Sequence, residues 1–231
     1  MRKINPADVR NDFDEQLTAL SAFYASGMDR FKGDAERSTF VENCMLVLVV
    51  AWEGFVNDMF VAYINGDATR FKQHLNDALE EHLRDAKKPR KVFNEFATLK
   101  FPVHLTKGQV QEFADDEGSN ITFSNFEKLV DKAHVWLVAA DANKFENLAD
   151  PQRKVVDAAI ALRNHIAHRS KRSSNSMNTA LTMGPLHGTG LQRGNKKVAN
   201  VGAWLKSRPV GYQNTRFSIF LAELKAIGAA V

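Results

Sequence analysis

Residues 39–65 constrain this chain more than any other stretch. Thr39 and Glu42 have the spacing of a capping box, and Gly66 is placed to stop a helix. Between them nearly every helical face is apolar: residues 44–52 run without a charge, and Phe55, Val56, Met59, Phe60, Val61, Tyr63 and Ile64 follow. A helix that is hydrophobic all round must be covered all round, which puts it at the centre of a bundle of other helices. The uninterrupted run 45–52 is far short of the ~20 residues a bilayer span needs, and Glu53 closes it. Glu53 is the only charge between Glu42 and Asp58. A lone carboxylate in such a helix must find a cation or a polar site.

The rest of the chain supplies covering helices. Residues 7–26 carry Phe13, Leu17, Leu20, Phe23 and Tyr24 on one stripe, and a polar connection over 26–37 follows. A weaker amphipathic pattern covers 69–85 through Phe71, Leu75, Leu79 and Leu83. Residues 87–91 form a basic patch around Pro89, and 93–105 fit either a short helix or extended chain. Ser124 and Glu127 form a second capping box, opening a helix to about residue 140. No segment alternates like a strand and no repeat recurs. The fold class is all-α, an antiparallel helical bundle over residues 1–170. Residues 171–231 form a basic, loop-rich extension. Its 171–200 stretch is rich in Ser, Asn and Gly, 198–205 suggests a short element, and 215–231 is apolar enough to dock on the bundle as a terminal helix.

The helix over 150–170 carries the chemistry. Asp150 stands as its N-cap and Pro151 at its first position. Val155, Ala159, Leu162 and Ile166 make the buried face. At about 100° per residue, Arg163 falls on the flank beside Val156, Ile160 and Ala167. Asn164 and His168 share a further strip with Asp157 and Ala161. Glu53 is a candidate partner for Arg163. The dipole at a helix C-terminus favours a protonated imidazole, a property suited to proton transfer by His168.

The segment Arg163-Asn164-His165-Ile166-Ala167-His168 resembles the Arg-(four to six residues)-His motif of the HEPN superfamily, with a polar residue directly after the Arg. The Trp52-Glu53 pair in the apolar helix is similar to the ribonuclease-type (RiboL-PSP-HEPN-like) branch. The resemblance spans residues 10–170. It departs from the pattern after His168, where Arg169 and Ser170 stand in place of a His-x-Tyr continuation. It implies a metal-independent endoribonuclease without cofactor, in which the motifs of two protomers form one site. On that reading Arg163, Asn164 and His168 are catalytic and Glu53 is auxiliary.

Charge adds an independent pointer. From residue 158 to 222 there is no Asp or Glu but ten bases, leaving 21 of the 31 bases against all 27 acids elsewhere, a balance of −6. A positive third beginning at the motif is the footprint of a phosphate-binding surface, with Arg169, Lys171, Arg172, Lys196 and Lys197 as the RNA-binding candidates; a solvated basic loop is the plainer alternative. His165 and His168 lack further metal ligands in the sequence around them, and the glycines of 184–194 form no phosphate loop. Cys44 is the single cysteine and the first residues carry no apolar signal core, so a cytoplasmic protein without membrane association is expected. The expected partners are RNA, a second copy of the chain, and an antitoxin or regulatory protein, as befits a toxin or anti-phage effector. A non-catalytic HEPN-like module binding nucleotide, RNA or a protein is the chief alternative. A helical scaffold with a basic tail is a third.

Overall fold

The computed structural model describes residues 4–83, 91, 95, 100–102, 105–114 and 121–231. The basic patch at 87–91 and the ambiguous stretch 93–105 lie largely outside these described residues. The described elements are α1 (Pro6–Arg30), α2 (Asp34–Gly66), α3 (Thr69–His82), α4 (Lys107–Ala114), α5 (Phe126–Trp136), α6 (Ala139–Glu146), α7 (Asp150–His168) and α8 (Lys171–Ala180). A 3-10 turn (Gly184–Leu186), α9 (Val201–Lys206) and α10 (Arg216–Ala230) complete them. No strand occurs among the described residues.

The expected central helix is α2, and it is longer than the pattern suggested. It starts at Asp34, where the Gly33 N–H donates to Glu36 Oε2 at 3.2 Å. The Thr39/Glu42 spacing is therefore not a cap, because the helix has already begun five residues earlier with the Glu36 carboxylate holding its start, and Glu42 is free for tertiary work. Nor does Glu53 end the apolar character. The 33-residue helix contains a window long and apolar enough to cross a membrane, yet 61% of that window is buried inside the protein. Met45, Leu48, Val49, Met59 and Phe60 are wholly buried, while Val47 and Val50 are about half exposed. α1 packs along α2 through Phe13, whose ring stacks on Phe55 at 4.3 Å and meets Trp52 edge-on. Phe23, expected on the buried stripe, is exposed and rests against Phe40 on the rim.

Two other starts differ from the pattern. α5 is capped by Asn125, whose Oδ1 accepts the Lys128 N–H at 2.9 Å, and not by Ser124. It ends at Trp136, where Leu137 and Val138 turn extended and α6 begins, so the one helix expected to residue 140 is two. That break brings Phe145 against Phe60 at 5.4 Å. In α7 the cap is Ala149, whose N–H donates to Gln152 Oε1 at 3.0 Å; Asp150 is the first helical residue, where its charge suits the dipole.

Beyond residue 170 the chain is more ordered than its composition suggests. The first ten residues of the expected loop are α8, opened by the Ser170 hydroxyl, which accepts the Ser173 N–H at 3.1 Å. Met177, Leu181, Leu186, Leu191, Val201 and Leu205 are fully buried in the same core as α2. Buried Asn178 fastens the glycine-rich loop, accepting from the Val198 N–H at 2.7 Å and donating to the Val198 carbonyl at 3.2 Å. Gly202 lets α9 lie against α2, since a Cβ there would stand 2.3 Å from the Ser38 carbonyl oxygen. α10 docks against α1, α2 and α7, as expected of the apolar C-terminal stretch.

Candidate functional site

Two ion pairs join α2 to α7. Arg163 Nη2 meets Glu53 Oε2 at 3.2 Å, and the Arg169 guanidinium bonds Glu42 Oε2. Glu42 and Glu53 are eleven residues apart, three helical turns, so both project from nearly the same side of α2. The Arg order runs opposite to the Glu order, which makes the two helices antiparallel. Glu42 also accepts the Gly202 N–H at 2.9 Å, tying α9 into the same seam. The lone carboxylate of the apolar helix thus meets the cation sought for it. Arg169, a candidate RNA contact from sequence, is paired with Glu42 in this structure. The eleven-residue spacing of the two acids was the signal in the sequence that reveals the second pair.

Arg169 also shapes the site through its backbone. Its φ of 50° places it in the left-handed region, the one such non-glycine residue among those described, and its N–H closes α7 on the His165 carbonyl at 2.9 Å. For a residue with a Cβ that conformation costs about 1–2 kcal/mol, offset here by the helix-closing bond and the pair to Glu42. The reversal starts α8 immediately, so the last turns of α7 and the first turns of α8 flank one open groove of about 500 Å³.

Asn164, His168 and Arg172 face this groove, with Ser170, Ser173 and Ser176 along α8 and Ser124 from the preceding segment. Asp157, Ile160 and Ala161 form the part nearer the start of α7, which confirms the Asp157/Ala161/Asn164/His168 strip as one face. The Asp157 carboxylate is not free: Oδ1 accepts the Phe126 N–H at 2.8 Å and Oδ2 meets Lys154 Nζ at 2.8 Å. It serves as a second cap for α5. Arg163 is not among the groove-facing residues. Its Nη1 instead donates to Asn164 Oδ1 at 3.0 Å, so Glu53, Arg163 and Asn164 form a chain of contacts ending at the groove.

The two histidines of the motif differ sharply. His168 is exposed at the groove. His165 is 8% exposed, and its Nδ1 lies 3.2 Å from Ser173 Oγ. Burial, with the nearby Arg169 charge, pushes the His165 pKa below its ordinary 6.5, against an opposing pull from Glu42. His165 is therefore a packing residue linking α7 to the α8 cap.

The other predicted contacts stand apart or free. Lys171, Arg172, Lys196 and Lys197 are exposed and make no hydrogen bond or ion pair among the described residues. Of these only Arg172 faces the groove. Arg193, Lys206 and Arg216, from the same acid-free span, are used internally: on the Asn178 carbonyl, on Asp34, and over the Trp204 ring. Sequence reasoning missed Ser170, Ser173 and Ser176, which the reversal at Arg169 brings to the groove, and Ser124, which arrives where Asp157 holds the start of α5. Among the described residues no group of three His, Cys, Asp or Glu side chains is arranged to hold a metal ion.

The chain matches the family model described as RiboL-PSP-HEPN over residues 11–183. No curated protein and no solved structure matches it. The match covers about three quarters of the chain and includes the central helix, the motif helix and all of α8. This protein belongs to the RiboL-PSP-HEPN family of all-α HEPN domains.

Proposed function

We propose that this protein is a metal-independent endoribonuclease whose groove holds RNA beside His168. The observation that carries the reading is the geometry of the motif's end: an exposed His168 and Asn164 face one groove, and Asn164 is held from behind by Arg163 and Glu53. In the reaction, the 2′-hydroxyl attacks the adjacent phosphorus, the P–O5′ bond breaks, and the products are a 2′,3′-cyclic phosphate and a 5′-hydroxyl. His168 moves protons, Arg163 supports the developing phosphorane charge from behind Asn164, and Asn164 orients His168 or the phosphate. Glu53 fixes the Arg163 fork.

The functional unit in this proposal is a homodimer, with the α7 strips of two copies facing across a two-fold axis so that both motifs share one cleft. A cytoplasmic toxin or anti-phage effector, restrained by an antitoxin or regulatory protein, is the matching biological role. The second reading is a non-catalytic HEPN module that binds RNA, nucleotide or protein. What favours it is the side chain of Arg163, which is spent on Glu53 and Asn164 and does not face the groove. Incubation of purified protein with total RNA in the presence of EDTA separates the two. A nuclease degrades the RNA and loses about 10²–10⁴-fold in rate on His168→Ala. A binder retains RNA intact in both forms.

A further inference from the structure

We infer that Arg172 is the residue that grips the substrate phosphate in the ground state, leaving Arg163 to act in the transition state. The inference rests on the ribonuclease reading of the same groove. Arg163 has its two terminal nitrogens engaged, one on Glu53 and one on Asn164. Arg172 has a guanidinium with no partner among the described residues, and it faces the groove that His168 and Asn164 face. The carboxylate in that groove, Asp157, already holds the Phe126 N–H and Lys154, so it does not claim Arg172.

A planar fork of donors in an open polar groove is matched to two oxygens of a phosphodiester. The neighbouring Ser170, Ser173 and Ser176 present hydroxyl groups along the same wall. The bases outside the groove, Lys196 and Lys197, are also exposed, and contribute only to the general positive field. Position in the groove, set by the left-handed turn at Arg169, is what separates Arg172 from them.

The test uses the full chain and a short single-stranded RNA with 2′-O-methyl groups throughout, which cannot be cleaved by this chemistry. Its affinity is measured against salt for the wild type, Arg172→Gln and the double variant Lys196→Ser/Lys197→Ser. Arg172→Gln is expected to weaken binding several-fold and to lower the salt slope by about 0.7, the value for one phosphate contact on a single strand. The double variant is expected to lose less affinity than Arg172→Gln. With cleavable RNA, Arg172→Gln raises KM more than it lowers kcat, whereas Arg163→Ala does the reverse. Unchanged affinity and slope in Arg172→Gln, a larger loss in the double variant, or no binding by the wild type each overturns the assignment. Wild-type protein that binds the methylated RNA through Arg172 but does not cut its 2′-hydroxyl counterpart sinks the ribonuclease reading alone.

Discussion

His165 and His168 are three residues apart, yet burial gives them opposite work. Because the His165 pKa lies below 6.5 in the folded protein, the unfolded chain binds the extra proton more readily. Its contribution to stability is fully present above about pH 6.5 and is lost as pH falls through that value toward the lowered folded pKa. Chemical denaturation at pH 7.5 and pH 5.5 should therefore show a loss that shrinks in His165→Gln; an equal loss in that variant would place the titrating group elsewhere. Cys44 follows the same logic of burial, which raises its thiol to about 11. At 1% exposure it should resist maleimide at pH 7.5 until the protein is unfolded. Fast labelling of native protein would contradict its placement.

At the scale of elements, α7 is both a site and a brace. Asp157 caps α5 with its side chain, so Asp157→Ala should cost roughly 1 kcal/mol, with Asp157→Asn losing less. A melting shift of zero for the Ala variant would show that Asn125 alone suffices. The Glu53–Arg163 pair is half-shielded, with side chains 19% and 32% exposed, so its coupling in a double-mutant cycle should be about 1 kcal/mol, above that of a surface pair. The apolar periodicity of 39–65, the lone Glu53 within it and the Arg163–His168 spacing made the central helix, the motif helix and this ion pair legible in the sequence. The starts of α2 and α7 were not, because the bonds that decide them come from Gly33–Glu36 and Ala149–Gln152, where the capping atom is a backbone N–H that any residue offers. α8 was hidden for a related reason: a Ser- and Asn-rich stretch has weak helix propensity, and burial of Met177, Asn178 and Leu181 overrides it.

Across the whole molecule, one core runs from α1 through α10 and carries the motif on its surface. The groove exists because α2 fixes α7 by two ion pairs and Arg169 then reverses the chain into α8. No pattern in the sequence announces a left-handed arginine, so the groove's far wall could not be read there. In the proposed dimer, Ala161 lies on the shared strip. Ala161→Arg should give a monomer by light scattering with unchanged helix content and little cleavage, whereas a wild type that is monomeric at high concentration would remove the composite site. The central claim is tested most directly by the ends left on a single defined RNA cut in EDTA. The account predicts a 2′,3′-cyclic phosphate or its 3′-phosphate opposite a 5′-hydroxyl, no cut where the nucleotide is 2′-O-methylated, and loss of the product in His168→Ala but not in His165→Gln. A 5′-phosphate end, or cleavage that survives 2′-O-methylation, would contradict it.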